Sequence, residues 1–310
     1  MRPYSRVYAT VNLDAVASNM RSMRDNLPAS TLIMGSVKAD GYGHGSVPVA
    51  KTIEPYVFGY AVATIDEGII LRRHGINKTI LILGVTHESR YEDLLRYDIR
   101  TAMFQYEKAK KLSDLALKQG KKAVVHLALD TGMSRIGMKA DREHAKEAAA
   151  IAALEGIEVE GLFTHFARAD ETDKSAYEEQ YRRYKEFLGY LKEVGVKIPI
   201  RHCSNSAGIV ESLESNHMDM VRAGIAIYGM YPSDEVDHNS VKLTPAMEIK
   251  SCITYIKEIE AGTAVSYGGT FVADHTMKVA TIPVGYGDGY VRSLSGKGDV
   301  LIHGKRAAIL

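Results

Sequence analysis

Short apolar runs alternate with longer amphipathic stretches from about residue 30 to residue 229. The short runs are rich in β-branched residues, and the longer ones show the apolar period of surface helices. This rhythm indicates repeated β-α units on a parallel sheet. We count eight such strands, the number that closes a (β/α)8 barrel: residues 31–38, 56–63, 79–84, 99–104, 123–129, 158–165, 198–203 and 218–222.

Two helices carry clear local signals. Thr64 and Glu67 have the spacing of a capping box, and Gly75 marks the end of the helix that they begin. Another helix, before the first barrel strand, is predicted from one apolar stripe that Pro28 ends: Val16, Met20, Met23 and Leu27.

The helical period disappears after Tyr228 and Gly229, and short strands separated by Gly-rich turns follow, at about 246–253, 276–283 and 300–302. We therefore predict an α/β barrel domain over 1–234 and a mostly β domain over 235–310. Residues 1–12 alternate like a strand but precede the barrel, so they are candidates to pair with the second domain.

Composition excludes several classes of protein. The chain has 310 residues, and 39 basic against 38 acidic residues leave a net charge of +1, so no large positive field favours nucleic acid. Cys203 and Cys252 show no metal-ligand or disulfide spacing. No apolar run approaches the ~18 residues of a membrane span, and the N-terminus lacks a signal-peptide pattern. We expect a cytoplasmic protein without metal, membrane or nucleic-acid partners.

Reactive groups of barrel enzymes collect at the carboxyl ends of the strands. Lys38 follows the first predicted strand and enters a loop that contains three glycines. Polar groups follow the later strands in the same way: Asp130, Thr131, Arg135, His165, Arg168, Asn205, Ser206 and Arg222. The sequence therefore predicts one polar site at the barrel mouth.

Lys38 is a candidate for covalent chemistry. A poorly solvated ammonium near other cations, here Arg135 and Arg222, favours its neutral, nucleophilic form. Such an amine can form a Schiff base with pyridoxal phosphate. The position of Lys38 alone is equally consistent with a lysine that caps a loop at the barrel rim.

A phosphate site is the second candidate. Hydroxyl groups and closely approaching backbone N–H groups bind phosphate, and barrel enzymes often place them after strands seven and eight. The candidate phosphate ligands are Tyr42, Ser206, Gly224 and Ile225. Each is a weak signal alone, but their joint occurrence at the ends of the predicted strands is informative.

Seven motifs together resemble the alanine racemase family: VKADGYGHG, LDTGMSRIGM, THFARAD, HCSNSAG, MVRAGIAIYGMYPS, VSYGGTF and IPVGYGDGY. They occur in the family's order from Val37 to Tyr290. The resemblance implies a pyridoxal-phosphate barrel joined to a β domain. It also implies a homodimer with shared active sites that interconverts L- and D-alanine for peptidoglycan synthesis.

The resemblance assigns two catalytic bases. Lys38 is similar to the lysine that binds the cofactor and acts on the D-enantiomer, and Tyr267 resembles the opposing base, which reaches the partner subunit's cofactor. A racemase needs bases on both faces of a planar carbanion. The family places His165 and Arg222 close enough to assist the phenol of Tyr267.

Other roles also follow from the resemblance. Arg222 resembles the arginine that faces the pyridine nitrogen, which it cannot protonate. Arg135 resembles the arginine that steers the cofactor and the substrate carboxylate, and Tyr286 matches the entrance lining. Asn205 and His202 lie in one motif as supporting residues, whereas His126 is interpreted as a structural barrel histidine. The phosphate site of the family corresponds to Tyr42, Ser206, Gly224 and Ile225.

Two departures from the family matter. Many members carry a carbamylated lysine where this chain has Ala128, so we expect a bound chloride or a neighbouring side chain to hold Arg135. The sequence stops at Leu310, where the family continues into a Met-Asp segment and a later tyrosine. We expect a C-terminally truncated racemase with an exposed strand edge and weakened dimers.

Three other classes of protein share parts of this pattern. Broad-specificity and serine racemases share these motifs. A non-catalytic pyridoxal-phosphate barrel lacks the β domain and the opposing tyrosine, although truncation would make this alternative relevant. Decarboxylases of the same fold are disfavoured, because they place a carboxylate where this chain has Arg222.

Overall fold

The structure, a computed structural model, describes residues 6–310 and divides into two units. One unit is Asn12–Ala246, and the other combines residues 6–11 with Met247–Leu310. The strands are β1 (Val7–Val11), β2 (Leu32–Ser36), β3 (Gly59–Val62), β4 (Thr79–Ile82), β5 (Arg100–Met103), β6 (Ala123–Asp130), β7 (Met138–Lys139), β8 (Ile157–Phe163), β9 (Ile200–His202), β10 (Met220–Ala223), β11 (Met247–Ser251), β12 (Tyr255–Ile259), β13 (Ala264–Val265), β14 (Phe271–Val272), β15 (Met277–Thr281), β16 (Asp299–Ile302) and β17 (Lys305–Ala308).

The α-helices lie mainly between the barrel strands. They are α1 (Leu13–Asp25), α2 (Ser46–Ile53), α3 (Ile65–Arg73), α4 (Tyr91–Tyr97), α5 (Tyr106–Lys118), α6 (Arg142–Ala152), α7 (Ser175–Glu193) and α8 (Ser206–Val210). Short 3-10 turns cover Glu54–Tyr56, Glu88–Arg90, Glu214–His217, Ile225–Tyr228, Tyr286–Asp288 and Arg292–Leu294. Within residues 6–310, no helix combines the length and the apolar character needed to span a membrane.

The predicted barrel is confirmed. Eight parallel strands follow the order β5-β4-β3-β2-β10-β9-β8-β6, and the pairing of β5 with β6 closes the ring. Alternate positions on each strand face outward, where Ile33 and Val221 pack in the main core, or inward, where Met34 and Met220 form a separate cluster. Arg222 follows Met220 by two residues and therefore also faces inward.

The helix signals appear at their predicted places. The side chain of Thr64 accepts the Glu67 N–H and the Glu67 carboxylate accepts the Thr64 N–H, which completes the capping box of α3. Gly75 has a φ of +83° just beyond that helix. The apolar stripe of α1 is buried against the barrel, with Val16, Met20 and Met23 fully enclosed.

The division between the units falls after Ala246, later than the predicted start of the β domain at residue 235. The apolar residues of 235–246 show neither the spacing of a helix nor that of a strand, yet Val236 and Val241 are buried in the core of the barrel unit. The backbone N–H of Thr244 also donates to Asn19 Oδ1 at 2.8 Å. These contacts tie the segment to the barrel.

The second unit consists of antiparallel strand pairs. Strand β1 pairs with β11, so residues 7–11 join this unit, while residues 1–5 of the predicted pairing segment lie outside the described residues. The other pairs are β12 with β15, β13 with β14, and β16 with β17. The strands predicted after residue 235 correspond to β11, β15 and β16.

Candidate active site

Lys38 lies half-buried two residues beyond the end of β2. Its Nζ lies 5.7 Å from the centre of the Tyr42 ring. Among the described residues, no carboxylate forms an ion pair with this amine. The amine is therefore not held by a counter-ion of its own chain, as a lysine reserved for covalent chemistry requires.

The backbone after Lys38 forms a turn of left-handed helix. Ala39, Asp40, Gly41, Tyr42 and Gly43 all have positive φ values, between 50° and 82°. For residues other than glycine this conformation costs roughly 1–2 kcal/mol each. The turn therefore needs support from outside itself.

That support comes from two carboxylates. The Glu67 carboxylate, already part of the α3 capping box, accepts the backbone N–H of Ala39 at 2.8 Å. The Asp40 carboxylate accepts the backbone N–H of Ser46 at 2.8 Å. The two contacts fix the turn at its start and beyond its end, and they set the direction in which Lys38 and Tyr42 project.

Hydroxyl groups from separate segments converge around Gly224. A Cβ atom placed on Gly224 would lie 3.5 Å from both Ser206 Oγ and Tyr42 OH, and 4.0 Å from the Ser36 Cβ. The Ser36 Oγ is buried and has no hydrogen-bond partner among the described residues. Three hydroxyls around one backbone position are the groups that a phosphate requires.

Two neighbours of this cluster have different roles. Asn205 uses its side chain internally, since Oδ1 accepts the Gly208 N–H at 3.1 Å and Nδ2 donates to the Phe166 carbonyl at 3.3 Å. It therefore caps α8 and positions Ser206, whose Oγ accepts the Gly224 N–H at 2.9 Å. The Ile225 N–H forms no hydrogen bond within residues 6–310 and remains available to a ligand.

Arg222 is buried at the inner end of β10 and is held from several sides. Nη1 donates to His202 Nδ1 at 2.8 Å, and Nη2 donates to the Thr164 carbonyl at 2.6 Å and the Cys203 carbonyl at 2.9 Å. Its Nε–H has no hydrogen-bond partner in the described part of the chain. Burial lowers the pKa of Arg222 to about 10, so the guanidinium stays charged at neutral pH.

His165 stands next to this guanidinium, with Nδ1 3.2 Å from Arg222 Nη2. Burial, and then the charges of Arg222, Arg135 and Lys38, lower the pKa of His165 to about 3. A neutral imidazole at this position can accept or donate hydrogen bonds without adding to the local positive charge. Arg168, the other polar residue after β8, forms an exposed ion pair with Glu171.

Arg135 is exposed on the loop between β6 and β7, and it has no hydrogen bond or ion pair within residues 6–310. The neighbouring side chain expected to hold it is therefore not found. Ala128, at the position of the family's carbamylated lysine, is buried in an apolar cluster with Ala102 and Phe163. The space is filled by hydrocarbon, which offers no hydrogen bond to an arginine.

Tyr267 and Tyr286 belong to the β unit. Tyr267 lies in the turn between β13 and β14, and 77% of its surface is exposed. Tyr286 begins the 3-10 turn Tyr286–Asp288 and is also exposed. Arg6 anchors that turn through an ion pair with Asp288.

Sequence reasoning did not identify Ser36, Glu67 and Glu160 as site residues. Ser36 is a polar residue at the inward-facing end of the apolar run LIMGS, which was the available signal. Glu67 was recognised only as a helix cap. Glu160 interrupts the buried run of β8 and contacts His126 at 2.9 Å. His202, interpreted as a supporting residue, and His126, interpreted as a structural barrel histidine, are both fully buried and hydrogen-bonded to each other.

These groups fit a phosphate-bearing aldehyde cofactor. Lys38 supplies an amine without a counter-ion, the hydroxyl cluster and the Ile225 N–H match a phosphate, and the free Nε–H of Arg222 offers one donor. Strands β2, β10 and β9, which carry these groups, are neighbours in the barrel. The fold and the site thus define a barrel enzyme with its reactive groups at the carboxyl ends of the strands.

Comparisons with known proteins identify the family. The profile described as alanine racemase, N-terminal domain, matches residues 11–232, and the one described as alanine racemase, C-terminal domain, matches residues 246–310. The alanine racemase of Desulforamulus reducens is 44% identical over 305 residues, covering 98% of this chain and 82% of the relative. The chain belongs to the alanine racemase family and is an amino-acid racemase, an isomerase.

Solved structures agree. The alanine racemase of Clostridium difficile 630 superposes with a TM-score of 0.91 at 40% identity, covering 98% of this chain and 80% of that one. A histidine racemase from Leuconostoc mesenteroides superposes with a TM-score of 0.87 at 25% identity, covering 98% of this chain and 81% of that one. The fold therefore occurs with more than one substrate.

Proposed function

We propose that this enzyme interconverts L- and D-alanine with pyridoxal 5'-phosphate by a two-base mechanism. The proposal depends above all on one observation: the free amine of Lys38, the hydroxyl cluster and the unpartnered Nε–H of Arg222 occupy three adjacent strand ends. When bound, the cofactor binds the substrate's amino group covalently and withdraws electrons from its Cα, which makes the Cα–H acidic.

Lys38 holds the cofactor and moves a proton at the substrate Cα on one face. Tyr42, Ser206, Ser36, Gly224 and Ile225 would hold the phosphate of the cofactor. The guanidinium of Arg222 would offer its Nε–H to the bound cofactor but keep its proton, because its pKa stays well above neutral pH. A donor that keeps its proton would leave the cofactor a moderate electron acceptor.

Tyr267 of a second copy of the chain moves the proton on the opposite face, so the enzyme works as a homodimer. An exposed phenol on a short hairpin suits a group that acts outside its own unit. Neutral His165 and charged Arg222 favour the phenolate that a base requires. Arg135 orients the substrate carboxylate, and Tyr286 lines the entrance.

A direct test begins with the purified protein. We expect a visible absorption band from the bound cofactor, and borohydride reduction followed by peptide mapping should find the label on Lys38. Lys38→Ala protein should lose both the covalent label and racemisation. A colourless wild-type protein, or racemisation that persists in Lys38→Ala, would refute the proposal.

The substrate is tested separately. Alanine is expected to give the highest kcat/KM, and serine, lysine and histidine should be measured beside it, since a structural relative is a histidine racemase. A preference for serine would assign the alternative substrate class. Rescue of a bacterial D-alanine auxotroph tests the proposed supply of D-alanine for peptidoglycan in the cytoplasm.

A further inference from the structure

A row of polar side chains, buried except for the half-buried Glu160, runs from Arg222 along the barrel interior. Arg222 Nη1 contacts His202 Nδ1 at 2.8 Å, and His202 Nε2 contacts His126 Nδ1 at 2.8 Å. His126 Nε2 contacts Glu160 Oε2 at 2.9 Å. We call this row of four side chains, Arg222, His202, His126 and Glu160, the histidine relay.

Hydrogen-bond chemistry gives the relay one direction. A guanidinium only donates, so His202 Nδ1 must accept from Arg222. His202 then carries its proton on Nε2 and donates to His126 Nδ1. His126 carries its proton on Nε2 and donates to the carboxylate, which only accepts. Every contact is satisfied only when both histidines are neutral Nε2–H tautomers.

Two backbone features build this arrangement. The register between β6 and β8 shifts at Val125 and His126, so Glu160 is an extra residue in β8, and such a bulge turns a side chain out of the regular alternation. Next to it, a Cβ on Gly161 would lie 2.4 Å from His126 Nδ1. Only glycine leaves room for the imidazole there.

The charges agree with these tautomers. Burial lowers the pKa values of His126 and His202, so both are neutral. Burial alone would raise the pKa of Glu160, but the contacts with His126 and Arg100 hold it below the usual value. The Arg100 Nε lies 3.5 Å from Glu160 Oε2, beyond a good hydrogen bond but close enough for an ion pair.

We propose that Glu160, acting through His126, is a positioning residue that keeps an unprotonated His202 Nδ1 facing Arg222 and thereby directs the Arg222 Nε–H at the cofactor. This rests on the proposed function in one respect, the cofactor opposite Arg222. Without the carboxylate, the other tautomer of His202 becomes accessible, and its Nδ1–H opposes the guanidinium N–H. Arg222 then loses its side-chain acceptor at Nη1 and is held by the backbone carbonyls of His202, Thr164 and Cys203, so the direction of its Nε–H is less narrowly set.

The test uses ¹⁵N-histidine-labelled holoenzyme, in which nitrogen shifts report which ring nitrogen carries the proton. Wild type should show a bare Nδ1 and a protonated Nε2 on both histidines. Glu160→Met, which removes the acceptor but keeps the side-chain length, should show mixed tautomers at His202. Its kcat should fall roughly tenfold, the lower end of the effect of removing outer partners of reactive groups, with little change in KM.

Two variants complete the design. Glu160→Asp keeps a carboxylate and should restore the single tautomer and most of the turnover. Glu158→Met changes an exposed carboxylate on the same strand and should leave both readouts at wild-type values. If Glu160→Met does not fold, the tautomers of wild type and Glu160→Asp still decide the question.

A protonated His202 Nδ1 in wild type would overturn the proposal, as would a Glu160→Met enzyme with unchanged tautomers and turnover. The tautomer measurement does not depend on racemisation. A wild-type protein that shows the expected tautomers but does not racemise alanine would refute the proposed function while leaving the assignment of the relay intact.

Discussion

The two units bury different kinds of side chain. The barrel unit encloses charged and polar groups as well as apolar ones, including Arg222, His202 and His126. In residues 247–310, by contrast, the buried apolar residues are Ile259 and Ala273. Many large apolar side chains of the β unit are exposed: Tyr8, Ile249, Ile253, Tyr255, Ile256, Tyr267, Val272, Tyr286, Val291, Leu294 and Leu301.

This difference separates two tasks. The barrel unit satisfies most of its buried polar groups internally, so it can hold charged side chains in fixed positions. The β unit leaves apolar surface uncovered, which favours association with another surface. Chemistry that requires rigid placement is therefore expected to depend on the barrel, and assembly on the β unit.

The largest expected effect contrasts one tyrosine from each unit. Tyr267→Phe should lower racemisation by about 10²- to 10⁴-fold, the usual contribution of a general acid or base, without changing Tm, because the hydroxyl is exposed. Tyr184→Phe removes a buried hydroxyl that donates to the Leu162 carbonyl at 2.8 Å. It should lower the free energy of unfolding by about 1–3 kcal/mol and leave kcat unchanged. Polarimetry measures racemisation and thermal unfolding measures stability. A Tyr267→Phe protein that loses stability but not activity, and a Tyr184→Phe protein that loses activity but not stability, would reject this division of roles.

The second expected effect is that acid lowers the free energy of unfolding of the barrel unit. His126, His165 and His202 are neutral when folded because burial, and then nearby cations, lower their pKa values. The unfolded chain binds protons at these sites below about pH 6.5, so each histidine removes about 1.4 kcal/mol of stability per pH unit as the pH falls below that value. Urea unfolding at pH 7 and pH 5 measures the loss. Hydrogen exchange should locate it in the barrel, and equal midpoints would contradict the expectation.

A smaller effect comes from a matched pair of glycines. Gly229 and Gly262 have φ values of +85° and +84°, but a Cβ on Gly229 would lie 1.9 Å from the Thr244 carbonyl oxygen, whereas Gly262 faces open space. Gly262→Ala should cost about 1 kcal/mol, and Gly229→Ala about 3 kcal/mol or more because the backbone must also move. Chemical unfolding of both variants compares them, and equal costs would show that the close contact is not rigid.

The smallest expected effect concerns association. Ile256→Thr replaces an exposed apolar side chain of the β unit, and losing about 1 kcal/mol of apolar burial should raise the dimer Kd by roughly fivefold. Leu117→Thr makes a similar change on the exposed surface of α5 in the barrel unit and should leave the Kd unchanged. Sedimentation equilibrium distinguishes the two, and equal shifts would remove the β unit's special role in assembly.

The sequence was most informative where pattern and topology coincide. The apolar strand at 31–38 delivers Lys38 to the barrel mouth, and the same logic places Ser206 and Arg222 beside it, because carboxyl ends of parallel strands meet at one edge. The eight strands appear within a few residues of their predicted bounds. The spacing of apolar residues along the sequence is sufficient to predict the strands to this precision.

Features that depend on distant contacts were not predictable. Nothing local in Ala39 or Asp40 indicates a left-handed turn, which is held by Glu67 from the next β-α unit. The inward direction of Glu160 results from a register shift between β6 and β8, which no run of residues reveals. The two units divide after Ala246, and residues 235–246 pack on the barrel without any regular period that would indicate this from the sequence.

The left-handed turn has a consequence for biosynthesis. Its first N–H is accepted by a carboxylate 28 positions further along the chain, so the nascent polypeptide cannot fasten the turn until translation has passed Glu67. Lys38 therefore emerges from the ribosome long before its surroundings are in place. The loop that carries Lys38 therefore reaches its final conformation only once the following helix has docked.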